Sequence, residues 1–173
     1  LRPWKESDAE ALFAYAHTPN VGPAAGWKPH GSIEETRAIL KSFMEEDETW
    51  AVVLRSNSQL LGSFGLHRDA MRGSEIKARA LGYVLAEEAW GHGYATEAAQ
   101  RVLSFAFEEF GLELVSVCHF PFNARSRRVI EKCGFRYEGT IRHAYRRYDN
   151  MVLDSCCYSI MREEYFALKE NAQ

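Results

Sequence analysis

Residues 81–100, LGYVLAEEAWGHGYATEAAQ, narrow what this chain can be more than any other stretch. An apolar, strand-like run leads into a tight Trp90-Gly91-His92-Gly93 turn, and a long amphipathic helix starts straight after it. A helix start carries N–H groups without intrahelical partners and a partial positive charge. A glycine-rich turn feeding one is therefore a ready anion site. The helix is followed by a second apolar run at 112–120, so the unit is β-α-β and needs a parallel pair joined by a right-handed crossover.

The pattern extends this unit in both directions. Residues 1–4 read as the end of a first strand. Ser7-x-x-Glu10 and Ser32-x-x-Glu35 are capping boxes that open helices over 7–17 and 32–46. Between them, residues 18–31 hold three prolines and three glycines and read as a loop. Strands are expected over 49–55, 59–67 and 76–85. After the glycine turn, Ala95, Ala98, Ala99, Val102, Leu103, Ala106 and Phe110 share one helical face, and Gly111 stops it. Asn123 can cap a helix that Gly134 ends, and 135–139 and 150–161 read as the last strands. The fold class is mixed α/β, a sheet with helices on both faces. With no repeat or linker, the 173 residues read as one domain spanning 1–173.

Composition excludes several classes. There are 21 Lys and Arg against 24 Asp and Glu, a net charge of −3, so no overall nucleic-acid footprint exists. No apolar run approaches the roughly 20 residues that span a bilayer, and no signal peptide is visible. The chain starts at Leu1 without Met, so a few leading residues are expected to be missing. Cys118, Cys133, Cys156 and Cys157 form no C-x-x-C pair and read as small buried hydrophobes in a reducing cytoplasm. The six histidines lack ligand spacing, and no metal is expected.

The glycine turn by itself leaves its anion open. A dinucleotide fingerprint would want Gly or Ala where Thr96 stands, and no acidic residue ends the following strand. A P-loop sequence is absent. A purely structural turn competes with phosphate binding by backbone N–H groups. A second constellation bears on the choice. From residue 123 to 148 there are eight Lys and Arg against two Glu. That run is either a solvated face or the border of a phosphate-rich ligand.

Together the two constellations resemble the GNAT superfamily of acyl-CoA N-acetyltransferases. Glu88-Ala89-Trp90-Gly91-His92-Gly93 is similar to the end of its Q/R-x-x-G-x-G/A motif. The run Trp90 to Ala98, Asn123-x-x-Ser126, Gly134-Phe135, Glu138-Gly139 and the opening Leu1-Arg2-Pro3-Trp4 resemble the branch of ribosomal-protein N-terminal alanine and serine acetyltransferases. The resemblance implies a central twisted sheet of about seven strands with about four helices. It implies transfer of acetyl from acetyl-CoA to a primary amine, either a peptide N-terminus or a small amine, by direct attack in a ternary complex. Backbone groups of Trp90, Gly91, His92, Gly93, Tyr94, Ala95 and Thr96 would hold the pyrophosphate. Leu81, Tyr83, Val84 and Leu85 would run beside pantetheine, and one N–H there would face the thioester oxygen. Asn123 would lie near pantetheine, and Arg125 near the adenosine phosphate. Trp27 and His30 would line the acceptor side, although Trp27 could equally cap the core. A homodimer in the cytoplasm is compatible with the resemblance.

The departures concern proton chemistry. Glu88 replaces the residue heading the motif. Ile130 stands where many relatives carry a tyrosine acid, which leaves Ser126 for that role beside its plainer reading as a helix-start hydroxyl. Ala80 stands where relatives often carry an acid, so the base falls to His67 or Glu75, against the plain reading of His67 as a strand-end residue. A module that binds acyl-CoA with little catalysis is the alternative these gaps keep open.

Overall fold

The computed structural model describes residues 1–171; Ala172 and Gln173, the end of the expected domain, lie outside the described residues. Its elements run α1 (Ala9–Ala16), α2 (Val21–Ala25), α3 (Ile33–Glu46), β1 (Thr49–Val53), β2 (Leu60–Arg68) and β3 (Ala78–Leu85). After the glycine turn come α4 (Tyr94–Ser104), β4 (Leu114–His119), α5 (Ala124–Lys132), β5 (Arg136–Arg146), β6 (Val152–Met161) and α6 (Arg162–Asn171). The strands form one mixed sheet in the order β1-β2-β3-β4-β6-β5. Only the β3–β4 pair among them is parallel, as the β-α-β unit requires.

Strand alternation, shifted by one residue at the bulge where Leu61 falls between the partners of Val52 and Val53, sorts side chains onto two cores. Leu61, Phe64 and Leu66 of β2 and Leu81 and Leu85 of β3 pack with Val102, Leu103 and Phe107 behind the sheet. Ala51 and Leu60 face the other way, onto Trp4, Leu12 and Leu40. Helices α1 and α3 therefore cover one face, and α4 and α5 the other.

Five elements differ from the expectation. The capping box at Ser7-x-x-Glu10 does not form: α1 starts at Ala9 with no side-chain cap, and Asp8, not Glu10, reaches back to accept the Lys5 N–H. The strand at residues 1–4 is a single bridge, Arg2 opposite Ala51. Pro3 has no N–H to continue a ladder, so the sheet has six strands and not about seven. The Pro- and Gly-rich stretch contains the short α2, ended by Gly26 at φ 97°. Helix α6 follows β6 directly, with the Glu164 carboxylate accepting the Met161 N–H at 2.9 Å. Strand β5 runs on past Gly139 to Arg146, through irregular pairing near Gly139 and between Ile141 and Tyr145.

The N-terminal stretch is fastened by charge. Arg2 donates to both Asp8 oxygens at 2.7 Å, and the Lys5 N–H adds a third bond at 2.9 Å. Burial pushes the Asp8 carboxyl upward, but Arg2 and the Lys5 amide outweigh it and hold it below its ordinary value. A depressed folded-state pKa contributes stability above the unfolded carboxylate range, and that stability is lost as pH falls through the folded value. Asp8→Asn is expected to cost about 1–3 kcal/mol at pH 7 in urea unfolding, with the difference from the parent shrinking as pH drops toward 3. A constant difference across that range would refute the linkage.

Candidate active site

The parallel pair opens a cleft. Strands β3 and β4 are in register only at Ala78–Leu114, Arg79–Val115 and Ala80–Ser116, and then part. Each stays paired on its other side, β3 with β2 as far as Leu85 and β4 with β6 as far as His119. The Ala86 N–H donates to Leu61 O, which fixes the phase of the β2–β3 ladder. By antiparallel alternation, Ala80, Gly82 and Val84 turn their backbone groups to β2, while Leu81, Tyr83 and Leu85 turn theirs into the opening. Leu85 O there is taken by the Trp90 indole N–H at 2.9 Å. The Leu81 N–H still closes the ladder onto Ser116, the last residue in register, so Leu81 O and the Tyr83 N–H present the unpaired strand edge along the floor of the cleft.

At its end the opening meets the glycine turn. Gly91 and Gly93 have φ of 80° and 85°, a left-handed conformation that glycine adopts without penalty. A Cβ built on either would touch nothing within 4 Å, so the space in front of α4 is open. No side chain caps α4. Its first N–H groups point into that space with the helix dipole behind them. Beside it, Arg125, Arg128 and Lys132 of α5 line the cleft. None of the three has a carboxylate within ion-pair distance among the described residues, whereas Arg127, Arg136 and Arg147 of the basic run pair with Glu131, Glu164 and Asp149. Arg125 stacks over the Trp90 ring at 4.0 Å.

The cleft has a volume of about 1260 Å³ and gathers most of the expected residues. Leu81, Tyr83, Val84, Leu85, Trp90, Gly91, Gly93, Ala95, Thr96, Asn123, Arg125 and Ser126 line it, as do His67, Trp27 and His30. His92 and Tyr94 do not; their rings stack on one another at 5.5 Å. Glu75 is also absent from the lining.

Ser126 sits in the first turn of α5, its N–H held by Asn123 Oδ1 at 3.1 Å. Its hydroxyl oxygen lies 2.8 Å from the Tyr83 hydroxyl. Burial pushes the Tyr83 phenol up to about 12, against the opposing pull of Ser126, and its ring stacks on Phe64 at 4.8 Å. The sequence placed Tyr83 beside pantetheine through its strand; the pairing of its hydroxyl with Ser126 needed the fold.

On the opposite face, Gly65 and Gly82 are direct cross-strand partners. The His67 ring covers them: a Cβ on Gly65 would fall 2.6 Å from His67 Nε2, and one on Gly82 3.3 Å from its Cδ2. His67 Nδ1 lies 3.5 Å from Glu48. His67 is therefore seated in a trough cut by two glycines, with a carboxylate behind it. His30 is buried, bonded to Thr36 Oγ1 at 2.8 Å, and burial lowers its pKa. Trp27 packs over Gly22 and toward His30, 5.2 Å between rings.

A roof crosses the opening. Ala24 O accepts from Asn123 Nδ2 at 3.2 Å, Gly26 O from the Tyr145 hydroxyl at 3.1 Å, and Pro23 O from Arg147 at 3.2 Å. Carbonyls at a helix C-terminus lack intrahelical partners, so α2 is strapped by its free end to α5 and β5.

The cysteines correct one expectation. Cys133 and Cys157 are buried, but Cys156 is half-buried and Cys118 is exposed. Cys118 and Cys157 are cross-strand partners lining the cleft, with sulfurs 3.1 Å apart. Among the described residues no group of three or more His, Cys, Asp or Glu is placed to hold a metal ion, and no helix is long and apolar enough to cross a membrane.

Residues 1–136 match the family model described as an acetyltransferase (GNAT) domain. An uncharacterized N-acetyltransferase, YoaA of Bacillus subtilis, is 29% identical over 94% of this chain and 92% of its own length. A crystal structure of a GNAT-family acetyltransferase from Bacillus anthracis superposes with a TM-score of 0.85 at 28% identity, covering 94% of this chain and 93% of that one. The ribosomal-protein-S5-alanine acetyltransferase of Vibrio fischeri shares the fold, with a TM-score of 0.75 at 20% identity over 95% of this chain and 93% of that one.

Proposed function

The chain belongs to the GNAT acetyltransferase family, whose members transfer acetyl from acetyl-CoA to amines, and on that premise we propose how its residues divide the work. The observation that carries the reading is the parting of β3 from β4 in line with the uncapped start of α4. An acylated pantetheine arm is an extended chain with amides. It can add to the free edge of β3 as a strand would, through Leu81 and Tyr83. The pyrophosphate then falls where Gly91 and Gly93 leave room and the α4 N–H groups converge. Arg128 and Lys132 add positive charge beside it, and Arg125 can leave Trp90 for a phosphate.

Reaction needs a neutral amine, a stabilised oxyanion and a protonated leaving thiolate. An N–H of the β3 edge supplies the second, a contribution of about 3 kcal/mol for one well-aimed donor. His67, held by Glu48, receives the amine proton directly or through water. Ser126, backed by Tyr83, donates toward the sulfur. The amine attacks the acyl carbon, the C–S bond breaks, and the amide and free CoA thiol leave.

Isothermal titration with acetyl-CoA, combined with CoA-thiol release over an amine panel, tests the reading. Binding with amine-dependent release supports it; binding without release would leave only an acyl-CoA-binding module. Within the same assay, with a peptide acceptor, His67→Gln is expected to lower kcat/KM about tenfold at pH 7, below the usual general-base effect of about 100-fold or more because an α-amine of pKa near 8 is already partly neutral. The deficit should fade by pH 9, where the amine needs no base. A deficit that persists there would mean His67 shapes the site without taking the proton.

A further inference from the structure

The acceptor side of the cleft is poor in negative charge. Glu35 is the only carboxylate among the described lining residues, and its Oε2 already accepts the Gly31 N–H at 2.6 Å. Glu48 is engaged by His67. Lys28 joins the α5 cations on the positive side of the balance. Apart from Glu35, α1 and α3 line the cleft with Tyr15, Ile39 and Phe43, and the loop after α2 adds Trp27. Tyr145 closes the far side beneath the α2 roof.

We infer that the acceptor is a monoamine, a single ammonium attached to an uncharged, apolar body. This rests on the acetyl-transfer reading of the same cleft. The reacting amine gives up its proton before attack, so it needs no permanent counter-ion. Every further ammonium of a polyamine stays charged and must find a carboxylate, because an unpaired charge against apolar walls is strongly disfavoured. The lining offers one carboxylate, the exposed Glu35, for the two ammoniums that spermidine keeps, and its lysine and arginines repel a polycation. Aromatic and aliphatic walls instead match an apolar body, whose burial is favourable in proportion to its area. A small arylalkylamine and a peptide beginning with an apolar residue carry the same chemistry.

Initial rates of CoA release separate these cases, with phenethylamine, a C-terminally amidated tripeptide beginning with phenylalanine, and spermidine as acceptors at saturating acetyl-CoA. The expected result is a kcat/KM for phenethylamine or the peptide at least tenfold above that for spermidine, the larger of the two identifying the source. Ile39→Glu, which adds one carboxylate to a half-buried wall, should narrow that ratio at least fivefold by improving spermidine. Spermidine equal to or better than both apolar amines overturns the inference and leaves acetyl transfer standing. So does a folded Ile39→Glu protein with an unchanged ratio. Silence with every amine while acetyl-CoA still binds overturns the transfer reading together with this one.

Discussion

Replacing Gly93 with aspartate is expected to weaken acetyl-CoA binding by about 100-fold or more while the protein stays folded. The substitution is chosen for its mildness to the fold. Gly93 is the N-cap of α4 at φ 85° and ψ −8°. Aspartate is among the best N-cap residues and among the few side chains that tolerate left-handed backbone. A Cβ there meets nothing within 4 Å. The new carboxylate, however, bonds the α4 N–H groups from within and places negative charge where a pyrophosphate must sit. Loss of about two charge-assisted hydrogen bonds is worth roughly 3 kcal/mol or more, which is about 100-fold in Kd. Gly93→Ala should weaken binding far less, since it fills space without charge. Titration calorimetry gives the Kd values, and circular dichroism melting checks the fold. Equal, small effects of both substitutions would place the phosphates elsewhere.

What was legible in the sequence was local. The glycine turn, the α4 stripe from Ala95 to Ala106 and the Asn123 cap all lie within one element and its flanks, so periodicity and capping chemistry reveal them; Phe110, expected on the same stripe, is exposed because the helix widens into a π-turn over Phe105–Glu109. The mixed sheet followed from the β-α-β spacing. What escaped depended on partners far apart in sequence. Tyr83 meets Ser126 across 43 positions, and α2 is held to Asn123, Tyr145 and Arg147 across 99, 119 and 124. A five-residue helix broken by Pro23 and ended by Gly26 has no periodicity to read. Strand β5 is an exposed edge along most of its length, so it lacks the alternation that marks a half-buried strand. The seating of His67 was hidden in two glycines, Gly65 and Gly82, that look like ordinary strand interruptions until register puts them opposite each other.

Ser126→Ala is expected to lower kcat by about 100-fold, within the usual range for loss of a positioned acid, with the KM for acetyl-CoA changed less than threefold. The leaving thiolate belongs to a thiol of pKa about 8.5, so it departs tolerably well, and a donor aimed at the sulfur speeds its departure. A lone serine hydroxyl is a weak one. The Tyr83 hydroxyl 2.8 Å away changes that. Burial keeps the phenol protonated, pushing it up to about 12, so it can donate to Ser126 Oγ and free the serine proton to point at sulfur. Hydrogen bonds in such a chain polarise one another. Tyr83→Phe keeps the stacking on Phe64 and removes only the hydroxyl, and it should lower kcat about tenfold, less than loss of the acid itself because Ser126 still donates. The pair acts as one unit if the double variant is no slower than Ser126→Ala alone. Multiplying losses would instead make the two hydroxyls independent. A thioester with a more acidic thiol should rescue both variants, because a better leaving group asks less of the donor. Failure of that rescue, with kcat still low, would assign Ser126 to orienting the substrate and not to protonating the departing sulfur.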